Sequence, residues 1–140
     1  MQGNFDEKLK MLRKFLAKQK FVSFAYLFGS HARRKAGPLS DVDIAVYLNN
    51  KSPKKMHGME LFLINKIEDI LEGDEFDVVI LNNLDNTFCF NVIKEGVPIK
   101  ASLLMAKFEF QIMQKFLDEQ YHEGLMADIA LDRISKRGIL

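Results

Sequence analysis

Phe24-Ala25-Tyr26-Leu27-Phe28-Gly29-Ser30, followed after ten residues by Asp41-Val42-Asp43-Ile44-Ala45-Val46-Tyr47, decides how this chain folds. The first run is short, apolar and aromatic and stops at glycine, the pattern of a buried strand entering a tight turn. Gly29 lets the backbone approach an anion closely. Ser30 to Lys35 then reads as the opening of a helix, whose free N–H groups and positive dipole end favour phosphate, with the Ser30 hydroxyl adding a hydrogen bond. Gly37-Pro38 ends that helix. The stretch from Ser40 to Tyr47 alternates as a strand, placing Asp41 and Asp43 on one face and Val42, Ile44 and Val46 on the other.

Two acids at strand spacing can simply lie on the solvent side of an edge strand. Asp is a poor strand former, however, and two like charges side by side are unfavourable unless a cation neutralises them. Hard oxygen ligands favour Mg2+ or Mn2+, and Mg2+ typically takes one or two carboxylates plus substrate phosphates. Phosphoryl and nucleotidyl transfer with two metals needs a further acid on the second ion and beside the attacking hydroxyl. Asp77 is the candidate, since Phe76-Asp77-Val78-Val79-Ile80-Leu81 reads as a strand with a lone acid near its start. Glu72, Asp74 and Glu75 are its rivals, but they fall in a connection where acids are normally solvated.

Phe28-Gly29-Ser30-His31-Ala32-Arg33 with Ser40-Asp41-Val42-Asp43-Ile44-Ala45-Val46 resembles the nucleotidyltransferase superfamily of DNA polymerase beta and kanamycin nucleotidyltransferase. It is most similar to the minimal nucleotidyltransferases (MNT) that act as antitoxins beside HEPN-domain ribonuclease toxins. The resemblance implies that Gly29 and Ser30 hold the nucleotide phosphates, that Asp41 and Asp43 ligate two Mg2+ ions (or Mn2+), and that Asp77 is the third catalytic and metal-binding acid. Arg33 matches the motif arginine, a phosphate contact or a support of the site, and Ser40 belongs to the same nucleotide-binding motif. Many relatives have glycine where this chain has Arg34, which bears on the loop shape but not on the acids. His31 occupies a variable position. The resemblance further implies ATP as substrate, a HEPN toxin as protein acceptor, and AMP transfer to a tyrosine of that toxin.

The composition agrees with a small enzyme or module. A chain of 140 residues, 48% hydrophobic and 11% aromatic, suggests one domain with a real core. A net charge of +1 shows no bulk bias toward nucleic acid, and direct nucleic-acid binding is not expected. The single Cys89 excludes an internal disulfide, fits a reducing compartment, and sits between Phe88 and Phe90 as a buried thiol does. Residues 1–20 form an amphipathic helix without a signal-peptide core, and no run reaches transmembrane length, so a cytoplasmic location is expected and no membrane partner.

The remaining pattern gives helix, strand, helix, strand, helix over 59–71, strand, short helix over 86–95, a turn and a brief last strand within 96–101, and a long helix from 103. Asn49 to Lys55 reads as a loop opening the helix at Met59. The expected fold is α+β: a minimal polymerase-beta-like nucleotidyltransferase, with a small mixed sheet flanked by helices and a long C-terminal helix. One domain over 1–140 divides into an N-terminal helix (1–20), a catalytic core (21–101) and a C-terminal helical segment (102–140). That last helix carries a wide apolar stripe through Leu104, Phe108, Ile112, Met113, Phe116 and Leu117, continuing over Tyr121, Leu125, Met126, Ile129 and Ile134. It completes the core, forms a homodimer or meets a hetero-partner. With no room for an acceptor-binding domain, a protein acceptor is favoured over a small molecule such as an aminoglycoside. A binding antitoxin that masks its partner without catalysis is the alternative from another class.

Overall fold

The computed structural model describes residues 2–29 and 41–136, with side chains for 5–29 and 41–120. Its elements are α1 (Gln2–Lys18), β1 (Val22–Phe28), β2 (Val42–Leu48), α2 (Pro53–Leu71), β3 (Phe76–Ile80), a single 3-10 turn at Leu81–Asn83, α3 (Asn86–Glu95), β4 (Val97–Lys100) and α4 (Leu103–Lys136). The four strands form one mixed sheet in the order β3-β2-β1-β4. β1 pairs antiparallel with both β2 and β4, and β2 pairs parallel with β3. A parallel pair needs a crossover, and α2 supplies it.

Strand alternation sorts the core into two clusters. Leu27, Val42, Ile44, Val46 and Val78 face α1 and α2, where they meet Leu12, Leu16, Leu63, Ile67 and Leu71. Phe24, Tyr26, Ala45 and the half-buried Tyr47 and Val79 face α3 and α4, where they meet Cys89, Val92, Met105, Phe108 and Ile112. On this second face the Phe24 and Tyr47 rings stack at 4.9 Å, and Phe108 closes on both at 5.2 and 5.3 Å. The buried Tyr26 hydroxyl donates to the Glu109 carboxylate on α4.

Two lysines finish helices from a distance. Lys8 Nζ, on the buried side of α1, donates to the Leu71 carbonyl at 3.1 Å and to Asp74 at 3.0 Å, which satisfies and neutralises the C-terminal end of α2. Lys100 Nζ likewise donates to the Leu16 and Gln19 carbonyls at 2.9 and 2.8 Å at the end of α1. Asn82 extends the sheet beyond β3 by exchanging two bonds with the Leu48 backbone at 2.9 and 3.0 Å.

Two expectations change. α2 starts at Pro53, not Met59, because Ser52 caps it and Pro53 takes the first helical position, where its missing N–H costs nothing. His57 therefore lies inside the helix, exposed, rather than ahead of it. On α4 the apolar stripe divides: Met105, Phe108, Ile112 and Phe116 turn inward, while Leu104, Met113 and Leu117 face solvent together with Leu103 and Phe110. Tyr121, Leu125, Met126, Ile129 and Ile134 lie on the helix beyond the described side chains. Among the described residues no helix is long and apolar enough to cross a membrane.

Candidate active site

The strand register places two of the three acids side by side. Asp43 is the partner of Asp77 across the parallel β2–β3 pair, and the partner of Phe28 across the antiparallel β1–β2 pair. Directly paired residues share a sheet face, with Cβ atoms about 5 Å apart. Asp43, Asp77 and Phe28 therefore lie in a row across three strands, on the aromatic face that α3 and α4 only partly cover. Asp77 is exposed and Asp43 half-buried.

Gly29 follows at the end of β1 with φ +73°. A Cβ there would collide with the Asp43 carboxylate oxygen and stand 3.3 Å from its Cγ. Glycine is thus required twice, by a left-handed backbone that other residues avoid and by the carboxylate resting against it. The turn expected to hold phosphates and the acid expected to hold metal share one wall.

Asp41 sits differently. The ladder starts at Val42, whose N–H donates to the Glu75 carbonyl at 2.9 Å, so no pleat orients the residue before it. Asp41 is exposed and lines an open depression of about 400 Å3 with Glu68, Gly73, Asp74, Glu75 and Phe76. Among the described residues, no three His, Cys, Asp or Glu side chains stand close enough together to hold a metal ion. Ser30, Arg33 and Ser40 lie outside the described residues.

The donor set nevertheless suits a hard divalent ion. Asp43 and Asp77 offer carboxylate oxygens from adjacent strands, the hard donors that Mg2+ takes beside substrate phosphates. Sequence reading did not find the neighbouring aromatic wall. Phe28 meets Phe88 of α3 edge-on at 6.0 Å, and in the sequence Phe88 registers only as a neighbour of Cys89.

The model of the family described as polymerase beta, nucleotidyltransferase matches residues 10–102. The chain belongs to this family. The match takes in β1, the Gly29 turn, Asp41, Asp43 and Asp77 and ends just short of α4. No curated protein matches in sequence. In fold the nucleotidyltransferase is similar to chains from three solved toxin–antitoxin structures. One is a complex with AMP-PNP, 20% identical, covering 89% of this chain and 98% of that one, with a TM-score of 0.64. Another holds a tri-AMPylated HEPN toxin of Shewanella oneidensis with its MNT antitoxin, 19% identical over 91% and 98% of the two chains, with a TM-score of 0.59. A third, MntA–HepT, is 19% identical over 94% and 99%, with a TM-score of 0.58.

Proposed function

We propose that this nucleotidyltransferase is an antitoxin that transfers AMP from ATP to a tyrosine hydroxyl of a HEPN ribonuclease toxin and so silences it. The observation that carries this reading is the Asp43–Asp77 register pair set against the Gly29 turn, which brings paired carboxylates beside the turn proposed to hold phosphates. The acceptor class is supported by the solved complexes, one with AMP-PNP and one with an AMPylated HEPN toxin. The single buried Cys89 suits a reducing compartment such as the cytoplasm.

In this reading the Gly29 turn and Ser30 hold the β and γ phosphates, with Arg33 and Ser40 supporting the same groups. Asp41, Asp43 and Asp77 would hold Mg2+, or Mn2+, which supplies charge neutralisation on the triphosphate and acidifies the attacking hydroxyl. The toxin tyrosine oxygen bonds to the α phosphorus as the bond to the β-phosphate oxygen breaks, and pyrophosphate leaves. Asp77, exposed at the rim of the row, receives the hydroxyl proton. The added phosphate places bulk and negative charge on the toxin surface.

A second reading is favoured by one feature, the solvent-facing apolar strip of α4 with Leu103 86%, Phe110 68% and Leu117 61% exposed. A strip of this kind suits a partner surface, and masking alone would neutralise a toxin. Incubating the chain and toxin with ATP and Mg2+ separates the readings by mass. Transfer predicts added AMP, lost in Asp43→Asn and Asp77→Asn together with toxin protection. Protection that survives in both variants, without an adduct, would mean masking.

A further inference from the structure

The row of acids ends at an aromatic residue that packing does not fully use. Phe28 shares its face with Asp43, and its ring is met by Phe88 at 6.0 Å and an interplanar angle of 82°. Phe88 thus stands one ring beyond the Asp43 strand position, above the same sheet face. Its neighbours on α3 are sealed, Cys89 at 1% and Val92 at 2% exposure, whereas Phe88 keeps 38% of its surface in solvent.

The backbone that carries the ring is anchored. Asp85 caps α3, its carboxylate accepting the Phe88 N–H at 2.8 Å, and the Cys89 N–H returns to the Asp85 carbonyl at 3.1 Å. A capped first turn with a buried Cys89 behind it secures the helix end from which the ring projects. The other exposed phenylalanines among the described residues stand elsewhere. Phe62 packs on Phe15 and Phe21 over the opposite sheet face, and Phe110 lies on the outer side of α4.

We propose that Phe88 is the surface against which the base of the nucleoside triphosphate stacks. The inference rests on the nucleotide site proposed above and adds the residue that grips the base. With the phosphates at Gly29 and the α phosphate over Asp43 and Asp77, the remaining part of the nucleotide is the nucleoside, a ribose carrying a flat, π-faced base, and Phe88 is the exposed aromatic on that side among the described residues. Stacking on a ring tolerates any base, because every base presents a π face. Phe88 therefore supplies affinity for the nucleoside half of the substrate without reading its hydrogen-bonding edge.

Inorganic tripolyphosphate carries the charge of ATP without the base, which makes the idea testable without catalysis. In the full chain with Mg2+, Phe88→Ala is expected to weaken ATP binding roughly tenfold, the size of one lost stacking contact, and to leave tripolyphosphate binding unchanged. Phe88→Tyr should restore ATP binding. Phe88→Trp places a single fluorophore in a chain that otherwise has 0 Trp, and its emission should change with ATP but not with tripolyphosphate. Unchanged ATP affinity in Phe88→Ala, or equal weakening of both ligands, overturns the inference alone. A wild-type chain that binds neither ligand overturns the nucleotide site, and the inference with it.

Discussion

The two faces of the sheet are built from the same strands and differ in kind. One is aliphatic and closed, with Leu63, Ile67 and Leu71 of α2 and Leu16 of α1 all at 0% exposure over Ile44 and Val46. The other is aromatic, and its roof stops short of one end, leaving Asp43 half-buried, Asp77 exposed and Phe88 partly bare. β2 serves both at once, since Val42, Ile44 and Val46 point into the closed face and Asp43, Ala45 and Tyr47 into the open one. Carboxylates set side by side oppose folding by their like charge, and the buried aliphatic face opposite offsets that cost.

The largest break in this asymmetry is Ile67→Ala. It removes a fully buried side chain from the closed face and should cost about 2–5 kcal/mol in denaturant unfolding, while the molecules that remain folded bind ATP as before. Gly29→Ala comes next. Its positive φ and the collision with Asp43 should cost about 1–3 kcal/mol, and, unlike Ile67→Ala, it should abolish ATP binding in the folded fraction, measured by calorimetry.

The smallest effect is one of pH. Burial first, and then the Glu109 carboxylate, hold the Tyr26 hydroxyl protonated well above its ordinary value of 10.0. The folded state therefore binds this proton more tightly than the unfolded one. The Tyr26 contribution is complete below pH 10 and is lost as pH rises toward the folded value. Thermal melts of the wild type should fall above pH 10, and those of Tyr26→Phe should fall less steeply over the same range.

What could be read from the sequence followed period and local chemistry. The strand at Val42–Leu48 shows its two faces by alternation, and the Gly29 turn is marked by a glycine after an apolar run. The pairing of Asp77 with Asp43 was reachable because a helix between two strands implies a parallel neighbour, and the register places those two residues opposite each other. The start of α2 was missed because Lys54, Lys55 and His57 carry no apolar period, although Ser52-Pro53 is a capping signal. Asp41 precedes the first paired residue of β2, so strand alternation does not fix its orientation. The split of α4 was illegible because a wide apolar stripe does not say which of its edges meets the sheet. Lys8 and Lys100 act across long stretches of chain, on carbonyls that no local pattern connects to them.

Lys100 has one more consequence, in the order of assembly. β1 lies in the interior of the sheet, yet one of its edges has no neighbour until β4, made much later in synthesis, arrives. Up to that point a nascent chain carries an unpaired, aromatic-rich strand edge and an α1 end whose carbonyls lack their lysine donor. The arrival of Val97–Lys100 answers both needs in one event, covering the edge with β4 and tying off α1 through a single ammonium group. A ribosome-bound intermediate of this protein therefore keeps that strand edge open until those four residues emerge.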